Sequence, residues 1–137
     1  MRVLIDTNIV MDVLLARRPF VESASRIFSL VEQSKIEASL CATTVTTVDY
    51  LLTQSLSRDE ARQALRGLLD LFKIAPVNRS VIEKALRSKI EDFEDAVLEQ
   101  AACLVGAEAI ITRNTKDFGR SSIKALDPAE LLSTLET

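Results

Sequence analysis

Histidine is absent from this 137-residue chain. That gap removes Ser–His and Cys–His nucleophile pairs, imidazole acid–base catalysis and the common histidine zinc sites. Tryptophan is also missing and there is one tyrosine, so base stacking on aromatic side chains is limited. The three glycines form neither a GxGxxG nor a GxxxxGKS/T loop, which argues against a glycine-rich phosphate cradle. Cys41 and Cys103 lie far apart and outside any CxxC, within Leu40-Cys41-Ala42 and Ala102-Cys103-Leu104. Both are expected as reduced core residues. No apolar run approaches the ~20 residues of a membrane span. The opening Met1-Arg2-Val3-Leu4-Ile5-Asp6 is too short in apolar residues for a signal peptide, and a carboxylate closes it. A cytoplasmic protein without membrane contact is the expectation.

Carboxylate is what the chain has in quantity, with 20 acidic against 17 basic residues. An enzyme of this composition points to oxygen-ligand metal chemistry. The net charge of −3 is not that of a nonspecific nucleic-acid binder, which is usually basic. A metal-filled acidic site can nevertheless hold a phosphodiester while a local basic patch guides the strand. The length suits one domain over residues 1–137, with apolar content enough for a core without staples.

Residues 3–5 form a short apolar strand that stops at Asp6, and Ile9, Val10, Val13 and Leu14 then recur on one helical face. Arg17-Arg18-Pro19 closes that helix. Ala24, Ile27, Phe28, Leu30 and Val31 mark a second helix, and 36–42 reads as a strand. A helix over 43–56 has Thr43 or Thr44 as its cap. Ser57 caps the next, over 59–72, with Glu60 completing a capping box. Residues 74–77 are a short strand whose proline favours an edge. Helices follow over 80–89 and 94–105, an apolar strand over 109–112, an edge strand over 123–126, and a last helix over 128–135 opened by proline. Alternating strands and helices predict an α/β domain with a parallel sheet covered on both faces. The apolar stripes at 27–31 and 65–72 are read as core faces, with partner contact the alternative.

Ligands in such sheets gather beyond the carboxyl ends of the strands, and four segments bring acids there. Asp6-Thr7-Asn8 ends the first strand, where Asp6 is either a cation ligand or the N-cap of the following helix. Asp49 interrupts a run of valines, threonines and leucines on the line of Thr43 and Thr46; an unpaired buried charge there is costly, so it lies on an exposed stripe or faces a polar site. In Asp92-Phe93-Glu94-Asp95, Asp95 is favoured as the inward carboxylate and Asp92 as cap or outer partner. Thr112-Arg113-Asn114-Thr115-Lys116-Asp117-Phe118 follows the 109–112 strand as a polar loop with hydroxyl, amide, carboxylate and cations.

Taken together, the strand ending in Asp6-Thr7-Asn8, the Thr43-x-x-Thr46-x-x-Asp49 helix, the Asp92-Phe93-Glu94-Asp95-Ala96 helix start and Ile110-Ile111-Thr112-Arg113-Asn114-Thr115-Lys116-Asp117-Phe118 resemble the PIN domain, especially the VapC-like toxins of bacterial toxin–antitoxin pairs. The resemblance runs over essentially the whole chain. It implies a three-layer α/β/α domain with a central, mainly parallel sheet of four to five strands. It also implies Mg²⁺- or Mn²⁺-dependent endonucleolytic cleavage of RNA, a cognate antitoxin and a homodimer. Asp6 matches the family's first metal-ligand aspartate and Asp95 its third acidic position, while Asp49 stands where glutamate is usual. The fourth position is either Asp117 or the place held by Asn114. Catalysis is thus assigned to Asp6, Asp49, Asp95 and Asp117, and metal binding to Asp6, Asp95 and Asp117. Thr7, Asn8, Asp92, Thr112 and Asn114 support them, and Arg17, Arg18, Arg113, Lys116 and Arg120 are candidates for phosphate contact or solvated surface charge. Two other readings stand beside this one. One is a non-catalytic RNA- or partner-binding module on the same fold. The other is a receiver- or phosphatase-type phosphotransfer domain, although the phosphatase pattern wants an aspartate where Asn8 stands.

Overall fold

A computed structural model describes residues 1–136. The chain alternates as expected. It runs β1 (Arg2–Ile5), α1 (Thr7–Leu14), α2 (Val21–Glu32), β2 (Glu37–Cys41), α3 (Ala42–Leu52), α4 (Arg58–Leu71), β3 (Lys73–Ala75), α5 (Arg79–Leu86), α6 (Phe93–Leu104), β4 (Ala109–Ile111), a 3₁₀ turn (Thr115–Phe118), β5 (Lys124–Leu126) and α7 (Pro128–Glu136). The strands form one sheet in the order β3-β2-β1-β4-β5, and every neighbouring pair is parallel. β1 is central because its apolar residues suit burial on both faces. Val3, Leu4 and Ile5 are each at most 1% exposed.

Alternate side chains of the strands feed two cores. Val3, Ile5, Ala38, Leu40, Ala109 and Ile111 point into the first, which residues of α1, α2, α3, α4 and α7 cover. Leu4, Cys41, Ala75 and Ile110 point into the second, under α5, α6 and Phe118. These are the three layers of an α/β/α domain. The stripes at 27–31 and 65–72 serve the first core: Ile27, Val31, Leu68 and Phe72 are buried there, and the Phe28 and Phe72 rings meet edge-on with centroids 5.0 Å apart. Leu69 on the same stretch of α4 stays exposed.

Local signals place most boundaries. Ser57 and Glu60 form the expected capping box at the start of α4. Asn78 caps α5 by accepting from the Val81 N–H at 3.0 Å. β3 and β5 are the edge strands, with Pro76 immediately past β3, where no ladder hydrogen bond is lost. Gly106, at φ +69°, ends α6 in the left-handed region that a side chain would strain.

Three expectations are corrected. α3 ends at Leu52 rather than running to 56. Its N-cap position is Cys41, without a side-chain cap bond, because the hydroxyls of Thr43 and Thr44 are engaged with Cys41 Sγ and Thr7 Oγ1. Cys103 is exposed, not core. It falls on the outer side of α6, opposite Ala101 and Ala102, and its Sγ lies 3.6 Å from Ser122 Oγ.

Candidate active site

Strand order reverses at β1: the chain lays β2 and β3 to one side and later returns to place β4 on the other. The crevice outside the carboxyl ends of β1 and β4 is therefore the topological switch point, where parallel α/β sheets hold ligands. Asp6 leaves β1 there, its backbone N–H donating to Ile111 O at 2.9 Å. Thr112 leaves β4 beside it.

The Asp6 carboxylate is held on both oxygens. Oδ1 accepts from the Thr7 N–H at 2.7 Å, which makes Asp6 the N-cap of α1. Oδ2 accepts from the Thr112 hydroxyl at 2.8 Å and from Asn8 Nδ2 at 3.4 Å. Thr112, fully buried, also accepts from Asn8 Nδ2 at 3.2 Å and from the Asn114 N–H at 3.0 Å. Asn8 Oδ1 accepts from the Arg113 N–H at 3.2 Å, and Thr7 Oγ1 reaches Thr44 Oγ1 on α3 at 3.2 Å. Capping and site construction are thus one arrangement.

α6 brings the next acids. Asp92 caps that helix by accepting from the Asp95 N–H at 2.9 Å. Burial, followed by the charges of Asp92, Asp6, Asp117 and Glu94, pushes the Asp95 carboxyl up to about 7. Burial likewise raises Asp6, against the hydrogen bonds from Thr112 and Thr7, and Asp117 adds repulsion. Asp6, Asp95 and Asp117 therefore share one electrostatic neighbourhood. Beside it lies a cleft of about 780 Å³ lined by Asp92, Asp95, Asp117, Lys116, Arg120 and the turn 89–91. Lys89 on that turn escaped the sequence reading.

Asp49 behaves differently. It sits in α3 with Oδ1 buried and without a hydrogen-bond partner, the one such side-chain atom among the described residues. It is not among the leading charges on Asp6 or Asp95. Asn114 is exposed at the start of the 3₁₀ turn, which makes no side-chain cap bond there, and Asp117 lies on the turn itself. Among the described residues, no three Asp, Glu or Cys side chains are drawn together closely enough to hold an ion as they stand. The donors are all hard oxygens, the chemistry that suits Mg²⁺ and Mn²⁺, and the burial and acidic repulsion that raise Asp95 are of the kind a divalent cation offsets. By donor type the residues fit such an ion.

The basic residues divide. Lys116 and Arg120 line the cleft, and Arg18 is exposed. Arg113 is not a free phosphate contact: its Nε and Nη2 grip Asp12 at 2.7 and 3.1 Å, and its guanidinium lies 3.9 Å from the centre of the Phe20 ring. Arg17 approaches the same Asp12 at 3.9 Å. Asp12, fully buried, and Glu99, 2% exposed on α6, were missed by the sequence reading. The available signal was a lone acid in an apolar helix, which for Asp12 is Val10-Met11-Asp12-Val13-Leu14.

A parallel α/β/α sheet with acids beyond the carboxyl ends of β1 and β4 makes this a doubly wound α/β domain with an acidic switch-point site. The family model described as PIN domain matches residues 2–116, and the chain belongs to that family. It is 22% identical over 141 residues to Ribonuclease VapC1 of Aquifex aeolicus (strain VF5), across 99% of this chain and 96% of that protein. A chain of the toxin-antitoxin complex from Klebsiella pneumoniae superposes with a TM-score of 0.69 at 26% identity, covering 92% of this chain and 97% of that one. VapBC2 from Rickettsia felis, solved bound to a DNA fragment from its promoter, has a chain with a TM-score of 0.70 at 14% identity, over 93% and 98%. The strand order also departs from the 2-1-3-4-5 of receiver-type sheets, which removes the receiver half of the phosphotransfer alternative.

Proposed function

We propose that this chain is a metal-dependent endoribonuclease, a single PIN domain over 1–137 acting as the toxin of a toxin–antitoxin pair. The observation that carries the reading is the group of mutually repelling acids, Asp6, Asp95 and Asp117, beside a cleft edged by Lys116 and Arg120. Asp6, Asp95 and Asp117 would hold Mg²⁺ or Mn²⁺. When bound, the ion supplies Lewis-acid polarisation of the scissile phosphate and a water acidic enough to attack near neutral pH. Thr112, Asn8 and the Thr7 N–H fix both oxygens of Asp6. Asp92 holds the start of α6 and hence the backbone of Asp95. Asp49, one methylene shorter than the usual glutamate, would reach such an ion only through an intervening water. Lys116, Arg120 and Lys89 would receive flanking phosphates, with Arg17 and Arg18 further out and Asn114 supporting the acids at the fourth site position. An antitoxin protein and a second copy of the chain are the proposed partners, the first supported by the toxin–antitoxin complexes in which similar structures were solved.

The test is cleavage of single-stranded RNA with Mn²⁺ or Mg²⁺ by the parent, Asp6→Asn and Asp95→Asn. Cleavage by the parent and loss by at least 100-fold in both variants is expected. Equal activity in all three proteins would sink the proposed site. No cleavage by any of them favours the binding-module reading, which the absence of a ready-made ligand trio among the described residues keeps specific.

A further inference from the structure

Four residues beyond Asp95, α6 carries an acid that the reaction does not use. Glu99 is 2% exposed, and every partner it has is neutral. Its Oε1 accepts from the Ser88 hydroxyl at 2.6 Å and from Gln100 Nε2 at 2.9 Å. Its Oε2 accepts from the Ser122 N–H at 2.8 Å and from the Ser122 hydroxyl at 3.3 Å. A buried carboxylate is costly unless its lone pairs are met, and here they are met by two distant segments. Burial opposes its ionisation, but these hydrogen bonds outweigh it and hold the carboxyl below the ordinary glutamate value.

Both segments run into the cleft. Ser88 also accepts from the Ile90 N–H at 3.1 Å, so it pins the turn whose next residue, Lys89, lines the cleft. Ser122 stands two residues after Arg120, which lines it as well. Neither hydroxyl touches the acids at the strand ends. What the pair shares is Glu99.

We propose that Glu99 is a positioning residue that ties the Lys89 turn to the Arg120 segment and so fixes the spacing of the two cations that take RNA phosphates. This rests on the ribonuclease reading of the cleft given above. An apolar residue at 99 would pack under α6 but leave each segment free of the other. Glutamine would keep the tie, with its carbonyl accepting from the Ser122 N–H and hydroxyl and its amide donating to Ser88 Oγ, while the part-exposed Gln100 turns its own amide away to solvent.

The experiment measures binding of a fluorescent single-stranded RNA oligonucleotide by anisotropy in EDTA, from 50 to 300 mM KCl. It compares the full-length parent, Glu99→Ala, Glu99→Gln, Ser88→Ala and Lys89→Ala/Arg120→Ala, with Mn²⁺-dependent cleavage kinetics alongside. Each phosphate contact to a single strand contributes about 0.7 to the salt slope, so losing two flattens it by about 1.4. Glu99→Ala should show that flattening, roughly tenfold weaker binding at low salt, and a raised KM with kcat within twofold. Glu99→Gln should stay within twofold of the parent, and Ser88→Ala should lose about half of the slope change. Glu99→Ala should add nothing in the Lys89→Ala/Arg120→Ala background. A folded Glu99→Ala with the parent's affinity and slope overturns the proposal. So does a loss that adds fully to that of the double variant, or a parent that binds no RNA. Should Glu99→Ala fail to fold, Ser88→Ala decides, and an unchanged slope there overturns the proposal. A parent that binds RNA but never cleaves it sinks the nuclease reading alone; one that cleaves while Glu99→Ala keeps its KM sinks the positioning role alone.

Discussion

Replacing Arg113 with methionine keeps the aliphatic stem but strips the guanidinium from Asp12. Asp12 is 0% exposed and its two oxygens are held at 2.7 and 3.1 Å, so the variant leaves a buried charge without its main partner. Breaking such a pair from the cationic side costs about 3–5 kcal/mol. Arg17, 3.9 Å away, recovers part of this, which places the expected loss near ~3 kcal/mol at the lower end of that range. Loss of the contact with Phe20 adds about 0.5–1 kcal/mol. Asp12→Ala should cost less, about 1–2 kcal/mol, because the Arg113 side chain is 26% exposed and can turn to water. The double variant should be more stable than Arg113→Met alone, a non-additivity of at least ~1 kcal/mol. Against a total of about 5–15 kcal/mol these differences are large. Urea unfolding followed by far-UV circular dichroism reads them, since the chain has no tryptophan to report by fluorescence. A loss below about 1 kcal/mol in Arg113→Met, or a greater loss in Asp12→Ala, would refute the account of a buried acid dependent on one cation.

Three further outcomes follow from the carboxylates and their supports. Asp95, pushed up to about 7, stabilises the fold when protonated. That contribution is fully present below its unfolded pKa of about 3.9 and is lost as pH rises through about 7. In metal-free protein Asp95→Asn should therefore raise Tm at pH 8 and leave it unchanged near pH 4. In the parent, Mn²⁺ should raise Tm more at pH 8 than at pH 5.5, where protons compete for the same oxygens. Equal shifts at both pH values count against carboxylate ligation. Thr112→Val keeps the shape but removes the hydroxyl that orients Asp6 Oδ2 and accepts from two N–H donors; it should lower cleavage by at least tenfold and stability by about 1–3 kcal/mol. Wild-type cleavage by a folded Thr112→Val would show that Asp6 needs no such support.

What the sequence alone makes legible depends on how local its cause is. The apolar run into Asp6 announces a central parallel strand and its terminal acid in the same few residues. Ser57 with Glu60, and Asp92 with Asp95, are three apart on one turn, so their caps follow from spacing. Asp12 shows the other case. An acid among valines and a methionine must be partnered, yet its partner lies 101 residues away and becomes a neighbour only when β4 docks on β1. Asp49 carries the same signal, and there the buried oxygen has no partner. Local pattern says that such a charge needs an explanation, not which one. Cys103 had apolar neighbours in the chain but falls on the outer phase of α6, because Ala101 and Ala102 take the inner one. The order of a parallel sheet is likewise a property of crossovers, not of any strand's own residues.

The Thr112–Asp6 hydrogen bond has a temporal side. Its partners are 106 residues apart, and between their syntheses every other strand but β5 is made. β1 therefore leaves the ribosome early with an acid that Thr7 and Asn8 can hold from next door but that Thr112 cannot yet reach, and β2 is available to pair with it long before β4. Parallel pairing across so long a stretch must cover its loop-closure cost before it gives anything back, which slows this last docking. The order of manufacture thus acts as a delay: the carboxylate and its neighbouring donors come first, the Thr112 hydroxyl that completes its hold comes last, and an unfinished chain is a nearly complete protein without an assembled site.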